Sequence, residues 1–125
     1  MVPLISAPRS NRERVEAEVR STLTGLGLDE AVTLSLVSED LAEPLGPEES
    51  GPPIRVDHSS RKKENALRRS LVPSLLHARR YNEAHGTLDA ELFEVANVYL
   101  PRPGQTLPDE PTRLALVSGR DFLGL

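Results

Sequence analysis

Eight basic residues fall between Arg55 and Arg80, namely Arg55, Arg61, Lys62, Lys63, Arg68, Arg69, Arg79 and Arg80, against only Asp57 and Glu64. That stretch carries a local charge of +6 in a chain whose net charge is −4, so the remainder carries −10. Cations gathered this way can neutralise phosphates, and they make Arg68, Arg69, Arg79 and Arg80 candidate contacts for RNA or for the carboxylates of a partner chain. On one reading the protein is a free-standing RNA-binding domain that uses segment 55–80. On the other the run is structural, with Arg68 bridging strands or capping a helix end and Arg69 solvated. The second is preferred, because a basic run without interleaved aromatics usually forms a solvated face. Two Phe, two Tyr and no Trp offer little for base stacking.

Other constellations are weaker. His58, His77 and His85 stand 19 and 8 residues apart with no HExxH pattern, and Cys is absent, which argues against a zinc site, a disulfide or a thiolate nucleophile. Gly25, Gly27 and Gly46 make neither a dinucleotide-binding nor a P-loop arrangement. Ser59, Ser60 and Ser70 lack the setting of a nucleophile elbow and read as turn and capping residues. No catalytic, cofactor-binding or metal-ligating residue is assigned.

The scaffold that would position these groups is bounded by composition. A chain of 125 residues supports one domain with a modest core. With aromatics at 3%, that core must be built from Leu, Val and Ala. The apolar residues near the start, Val2, Leu4 and Ile5, are interrupted by Pro3 and Pro8, and no run approaches the length of a membrane span, so a soluble, cytoplasmic protein is expected. Residues 1–125 read as a single domain cut from something longer.

Ser10-Asn11-Arg12-Glu13 has the form of a capping box. Val15, Val19, Leu23 and Leu26 then recur at helical spacing, Glu16 and Arg20 form an i,i+4 pair, and Gly27 can close the helix, which predicts a helix over 11–26. The alternation of Val32, Leu34 and Leu36 predicts a strand over 30–37. Residues 43–53 are rich in Pro and Gly and read as an exposed loop, followed by a short strand at Ile54-Arg55-Val56. Pro73 and Gly86 frame a second helix over about 73–84, with Leu75 and Leu76 on its buried side. The runs 90–100 and 113–117 have strand composition and are expected to pair as an antiparallel hairpin. The fold class that follows is α+β, a mostly antiparallel sheet flanked by helices.

Three stretches in order resemble the β subunit of bacterial phenylalanyl-tRNA synthetase. Val19 to Val37, VRSTLTGLGLDEAVTLSLV, is similar to the family's entry to its catalytic-like region. Ala66 to Leu76, ALRRSLVPSLL, follows the family's Leu-Arg-x-Ser-Leu-x-Pro-x-Leu-Leu signature, with Asn82 where the family has Asn shortly afterwards. Leu92 to Tyr99, LFEVANVY, resembles its Leu-Phe-Glu-Ile-Gly-x-Val-Phe strand. The likeness spans roughly residues 12–118. It departs at Asp57-His58-Ser59-Ser60, where the family usually has an Asn-Pro-x-Ser turn, and at Ala96, which replaces a strand glycine.

The resemblance implies a truncated class II aminoacyl-tRNA synthetase-like fold from the β subunit's catalytic-like domain, within an α2β2 heterotetramer. The parent complex charges tRNA(Phe) with phenylalanine, with ATP and Mg2+ expected there and none in this fragment. It implies the synthetase α subunit as partner and Val15, Val19, Leu23 and Leu26 as subunit-interface residues. A class II site needs an arginine on a central strand to hold the α-phosphate, because a fixed planar cation offsets charge that builds up in the transition state. The residue after Asn97-Val98-Tyr99 is Leu100, and Arg102 is flanked by Pro101 and Pro103, which disfavours a strand. The segment is therefore expected to be a non-catalytic structural and interface module.

Overall fold

The computed structural model describes residues 10–42, 44–45, 51–56 and 63–120. Helix α1 spans Asn11–Gly25. One half of the expected capping box is present, the Ser10 hydroxyl accepting from the Glu13 N–H at 3.2 Å. At its other end Gly27 adopts φ +96°, a left-handed turn open to glycine at little cost. The chain then turns inward, and Leu28 is 2% exposed.

Strand β1 (Asp29–Glu30) pairs in parallel with β4 (Leu92–Asn97), and β4 pairs antiparallel with β5 (Thr112–Val117) along its whole length, giving the order β1-β4-β5. Strands β2 (Leu36–Val37) and β3 (Ala66–Leu67) form a separate antiparallel pair, preceded in the chain by no more than a short connection from β1 and joined through a 3-10 turn at Asp40–Ala42. Arg55 makes one bridge to Ala66, the remnant of the short strand expected at 54–56. Helix α2 (Val72–Ala84) carries Pro73 in its first turn and ends before Gly86 at φ +97°. The expected α+β architecture and hairpin are present, the larger sheet being mixed rather than wholly antiparallel.

Alternation along β4 and β5 gives the sheet two faces, each covered only in part along β5. Phe93, Val95 and Asn97 share one side with Leu116, Leu114 and Thr112, and α1 lies over it. Leu92 and Val117 share the other, which α2 approaches. The largest fully buried side chains are Phe93, Leu28, Leu71, Leu75 and Val98, so a single phenyl ring stands at the centre of an aliphatic core. Val37, Ala42 and Ala66, with Leu41, form a smaller cluster under the β2–β3 pair. No helix among the described residues is long and apolar enough to cross a membrane.

Two expectations need correction. The strand over 30–37 is broken: Ala31 to Ser35 leave the ladder, and Val32 and Leu34 are 90% and 53% exposed. The cause is long-range, since charged side chains claim the backbone of Thr33 and Leu34. On α2, Leu75 is buried but Leu76 is 53% exposed, and Ser74 takes the flanking inward position. Of the loop over 43–53, residues 43 and 46–50 lie outside the described residues, as do Asp57-His58-Ser59-Ser60.

Because Phe93 is fully buried where β1, β4 and α1 meet, Phe93→Ala should lower stability by about 3–5 kcal/mol. Urea unfolding followed by circular dichroism measures this, as a lower midpoint with unchanged slope.

Candidate functional site

Arg68 is the most heavily engaged side chain of the basic run. Its guanidinium is 5% exposed and faces the 3%-exposed carboxylate of Glu94 at 3.7 Å. Nε donates to the Asn97 carbonyl at 2.9 Å, and Nη1 donates to the Thr33 hydroxyl at 3.1 Å and the Thr33 carbonyl at 3.3 Å. Glu94 in turn accepts from the Thr33 N–H at 2.8 Å and the Thr33 hydroxyl at 2.7 Å. Backbone bonds run alongside, from the Arg68 N–H to Ser35 and from the Tyr99 N–H to Arg68. A charge this deep is tolerated only when paired and hydrogen-bonded. Arg68 therefore bridges strands, the structural role considered for it, and is spent inside the fold. Glu94 and Thr33 were not singled out from the sequence, although one acid in the apolar run Leu92-Phe93-Glu94-Val95 is the signal that could have found them.

The expectation that Arg69 is solvated is corrected. It is 4% exposed, donating from Nη2 to the Ala42 carbonyl at 2.6 Å and from Nη1 to the Gly51 carbonyl, while its Nε has no partner among the described residues. Neither Arg68 nor Arg69 has surface to offer RNA or another chain. Arg79 is half-buried and lies 3.1 Å from Glu83 and 3.9 Å from Asp89; Arg80 is exposed. Arg55 grips Glu39 through two bonds at 2.8 and 2.9 Å, holding that carboxyl below its ordinary value. Arg61, Lys62 and His58 lie outside the described residues. The described members of segment 55–80 are thus dispersed between core and surface, and they do not form one basic face.

At the turn after β4, Leu100 bridges to Asp109, and Arg102 sits beyond the ladder in an ion pair with Asp109 at 2.6 Å. Position 100 carries an aliphatic side chain. His77 and His85 are exposed on or just after α2, with the His85 ring stacked on Tyr81 at 4.0 Å. Among the described residues no three His, Cys, Asp or Glu come together as a metal site.

The four residues proposed on α1 lie along one stripe, but they are not core. No residue of the helix is buried; Val15 is 59% and Leu26 46% exposed, and Val19 and Leu23 are half-covered. Val15 and Val19 face Val95 and Leu114 across an open groove of about 480 Å³, flanked by Arg12 and Arg113. Leu114 and Leu116 on β5 are 47% and 42% exposed, extending the apolar patch. Within the helix Glu16 pairs with Arg12 and Arg20, and polar contacts to the rest of the domain run from Arg20 to Glu30 at 2.8 Å and from Arg12 to the Asn97 side chain. At its C-terminus Arg120 donates to the Leu26 carbonyl and to Glu91, each at 2.6 Å. Bonds from Ser118 and Arg120 hold the Glu91 carboxyl below its ordinary 4.5. The helix thus keeps its apolar stripe half open to solvent.

Known proteins resemble this chain over most of its length. The family profile described as phenylalanyl tRNA synthetase beta chain CLM domain matches residues 1–122. A phenylalanine–tRNA ligase β subunit of Rhodopirellula baltica is 40% identical over 129 residues, covering 98% of this chain and 19% of that protein. The corresponding subunit of Geobacillus kaustophilus is 39% identical over 97 residues, covering 78% and 12%. The chain thus spans less than a fifth of the length of these relatives. Among solved structures, a pyrrolysyl-tRNA synthetase of Desulfitobacterium hafniense superposes with a TM-score of 0.64 at 21% identity, over 86% of this chain and 37% of its own. That likeness concerns the fold, which is of the class II synthetase type.

Breaking the buried pair from one side should be severe: Arg68→Met or Glu94→Leu alone should cost about 3–5 kcal/mol, because each strands an uncompensated charge. The double variant should cost far less than the sum, which a double-mutant cycle in urea measures. Glu91 has a lowered pKa in the folded state, so its contribution is present above pH 4.5 and is lost as pH falls through the folded value. Glu91→Gln should flatten the acid side of the stability profile and leave its slope above pH 6 unchanged, read from melting temperature against pH.

Proposed function

This chain belongs to the phenylalanyl-tRNA synthetase β-chain family, and we propose that it serves as a non-catalytic structural module by which a phenylalanine–tRNA ligase β subunit holds its α subunit. The observation that carries the reading is the unburied apolar stripe of α1, with Val15 and Val19 opening onto the groove beside Leu114. A helix whose apolar side faces solvent among the described residues gains burial from a surface beyond them, in this reading that of the α subunit, worth roughly 25 cal/mol for each Å² covered.

The non-catalytic part rests on Leu100 and Arg68. A nucleotide's α-phosphate needs a fixed cation facing the site. Position 100 is apolar, and the nearest buried guanidinium, that of Arg68, is committed to Glu94, Thr33 and Asn97. Within this reading ATP and Mg2+ serve the α subunit, tRNA(Phe) is met by the α2β2 assembly, and the whole works in the cytoplasm.

Co-expression of the chain with a ligase α subunit, followed by size-exclusion chromatography, tests the role. Co-elution is expected, with the complex lost in the Val15→Asp, Val19→Asp double variant while helix content is retained. ATP–pyrophosphate exchange by the chain alone should stay at background. No association of the α subunit with either this chain or its full-length parent removes the assembly role, and exchange activity removes the non-catalytic one.

A further inference from the structure

We propose that Arg69 is the clasp of a separately opening part of the fold: it ties residues 36–42 and 51–56 to the chain after β3, and these pieces come undone together while the β1-β4-β5 sheet stays formed. The two sheets share no strand, and Val37, Ala42 and Ala66 pack in a cluster of their own. Segment 51–56 joins this smaller lobe through bonds from the Val56 N–H to Asn65 and from the Leu67 N–H to Ile54, each at 2.8 Å. So few aliphatic side chains give three segments of chain little burial to hold them together.

Arg68 and Arg69 are adjacent and both buried, but they serve opposite sides. Arg68 reaches Glu94 and Asn97 of β4. Arg69 reaches the Ala42 and Gly51 carbonyls, and neither of these bonds goes to β1, β4 or β5. One arginine therefore belongs to the large sheet and the next to the small lobe, with the boundary between the two units falling at the peptide that joins them.

A planar guanidinium that bonds two carbonyls at once draws them side by side. Ala42 ends the 3-10 turn and Gly51 lies on the far side of residues 43–50, so one side chain from a third segment joins both ends of that excursion. Charge on the donor strengthens such bonds, and exclusion of water strengthens them further. Glu39 and Arg55 make a second tie between the same two stretches, but they are 58% and 45% exposed, and solvent leaves such a pair little strength. The inner tie is the one that holds the lobe closed. It lies wholly within the described residues and does not depend on the ligase role.

Amide hydrogen exchange of the purified chain, followed by NMR across low urea concentrations, tests this. In the unaltered chain the amides of Ala42, Val56 and Leu67 should share one opening with one urea slope, smaller than the slope for Ala31 and Val98, which bond to Phe93 and Pro111. Arg69→Met should speed exchange at Ala42, Val56 and Leu67 by about 10- to 100-fold, the loss expected for bonds from a charged donor. Complete unfolding also breaks the clasp, so Ala31 and Val98 should speed up by the same factor. Phe93→Leu, in the part that stays formed, should speed Ala31 and Val98 and leave the three lobe amides unchanged. Glu39→Gln, which weakens only the exposed outer pair, should speed the lobe amides by about fivefold at most. One common slope for all these amides in the unaltered chain, or lobe amides that respond to Phe93→Leu as Ala31 does, would overturn the separate opening, and neither observation needs the Arg69 variant to fold. Lobe exchange that Arg69→Met leaves unchanged, or changes less than Glu39→Gln does, would overturn the clasp.

Discussion

The Arg68–Glu94 pair is the constraint around which this domain is arranged. Its members come from segments far apart in sequence, and Thr33 from a third segment satisfies both. Removing two charges from water costs several kcal/mol each, and only a complete set of partners offsets that. The backbone between β1 and β2 therefore leaves the sheet to meet Glu94, and β4 ends where Asn97 accepts from Arg68. The division of the strands into two sheets follows from this junction.

The apolar part of the structure is thin by comparison. One phenyl ring and a few aliphatic side chains make the main core, the β2–β3 pair keeps a small cluster of its own, and α1 buries nothing completely. A domain of this size is marginal when much of its apolar surface stays outside. Ion pairs at the surface of α1 contribute little individually. Its C-terminal end is also tied by Arg120, which donates to the Leu26 carbonyl and leaves the valine stripe open.

Local signals carried most of the fold in the sequence. The capping box at Ser10 and the glycine at 27 bound α1, Pro73 and Gly86 bound α2, and the composition of 92–97 and 112–117 marked the hairpin, since in each case the determining contacts lie within a few residues. The break at 31–35 was not legible, because the groups that pull Thr33 out of the ladder are 61 and 35 residues away. Arg69 was misread for a similar reason: the carbonyls that hold it inside belong to Ala42 and Gly51, in a region whose Pro and Gly content suggested only exposure. The stripe on α1 was visible as a period, but periodicity cannot say whether a face meets its own domain or another, and the structure leaves it open. The family motifs in 66–76 and 92–99 proved to be the two sides of the buried junction.

The bond from Arg120 to the Leu26 carbonyl joins residues 94 positions apart. During synthesis the first helix leaves the ribosome long before the arginine that caps it is made, and the exit tunnel delays that residue further. Isolated helices of this length are marginal in water, so α1 remains unfixed until the last strand arrives. Closure of so distant a contact also carries a large chain-entropy cost that slows folding. The helix that carries the valine stripe is thus fixed in place only once the residues up to Arg120 are available to cap it.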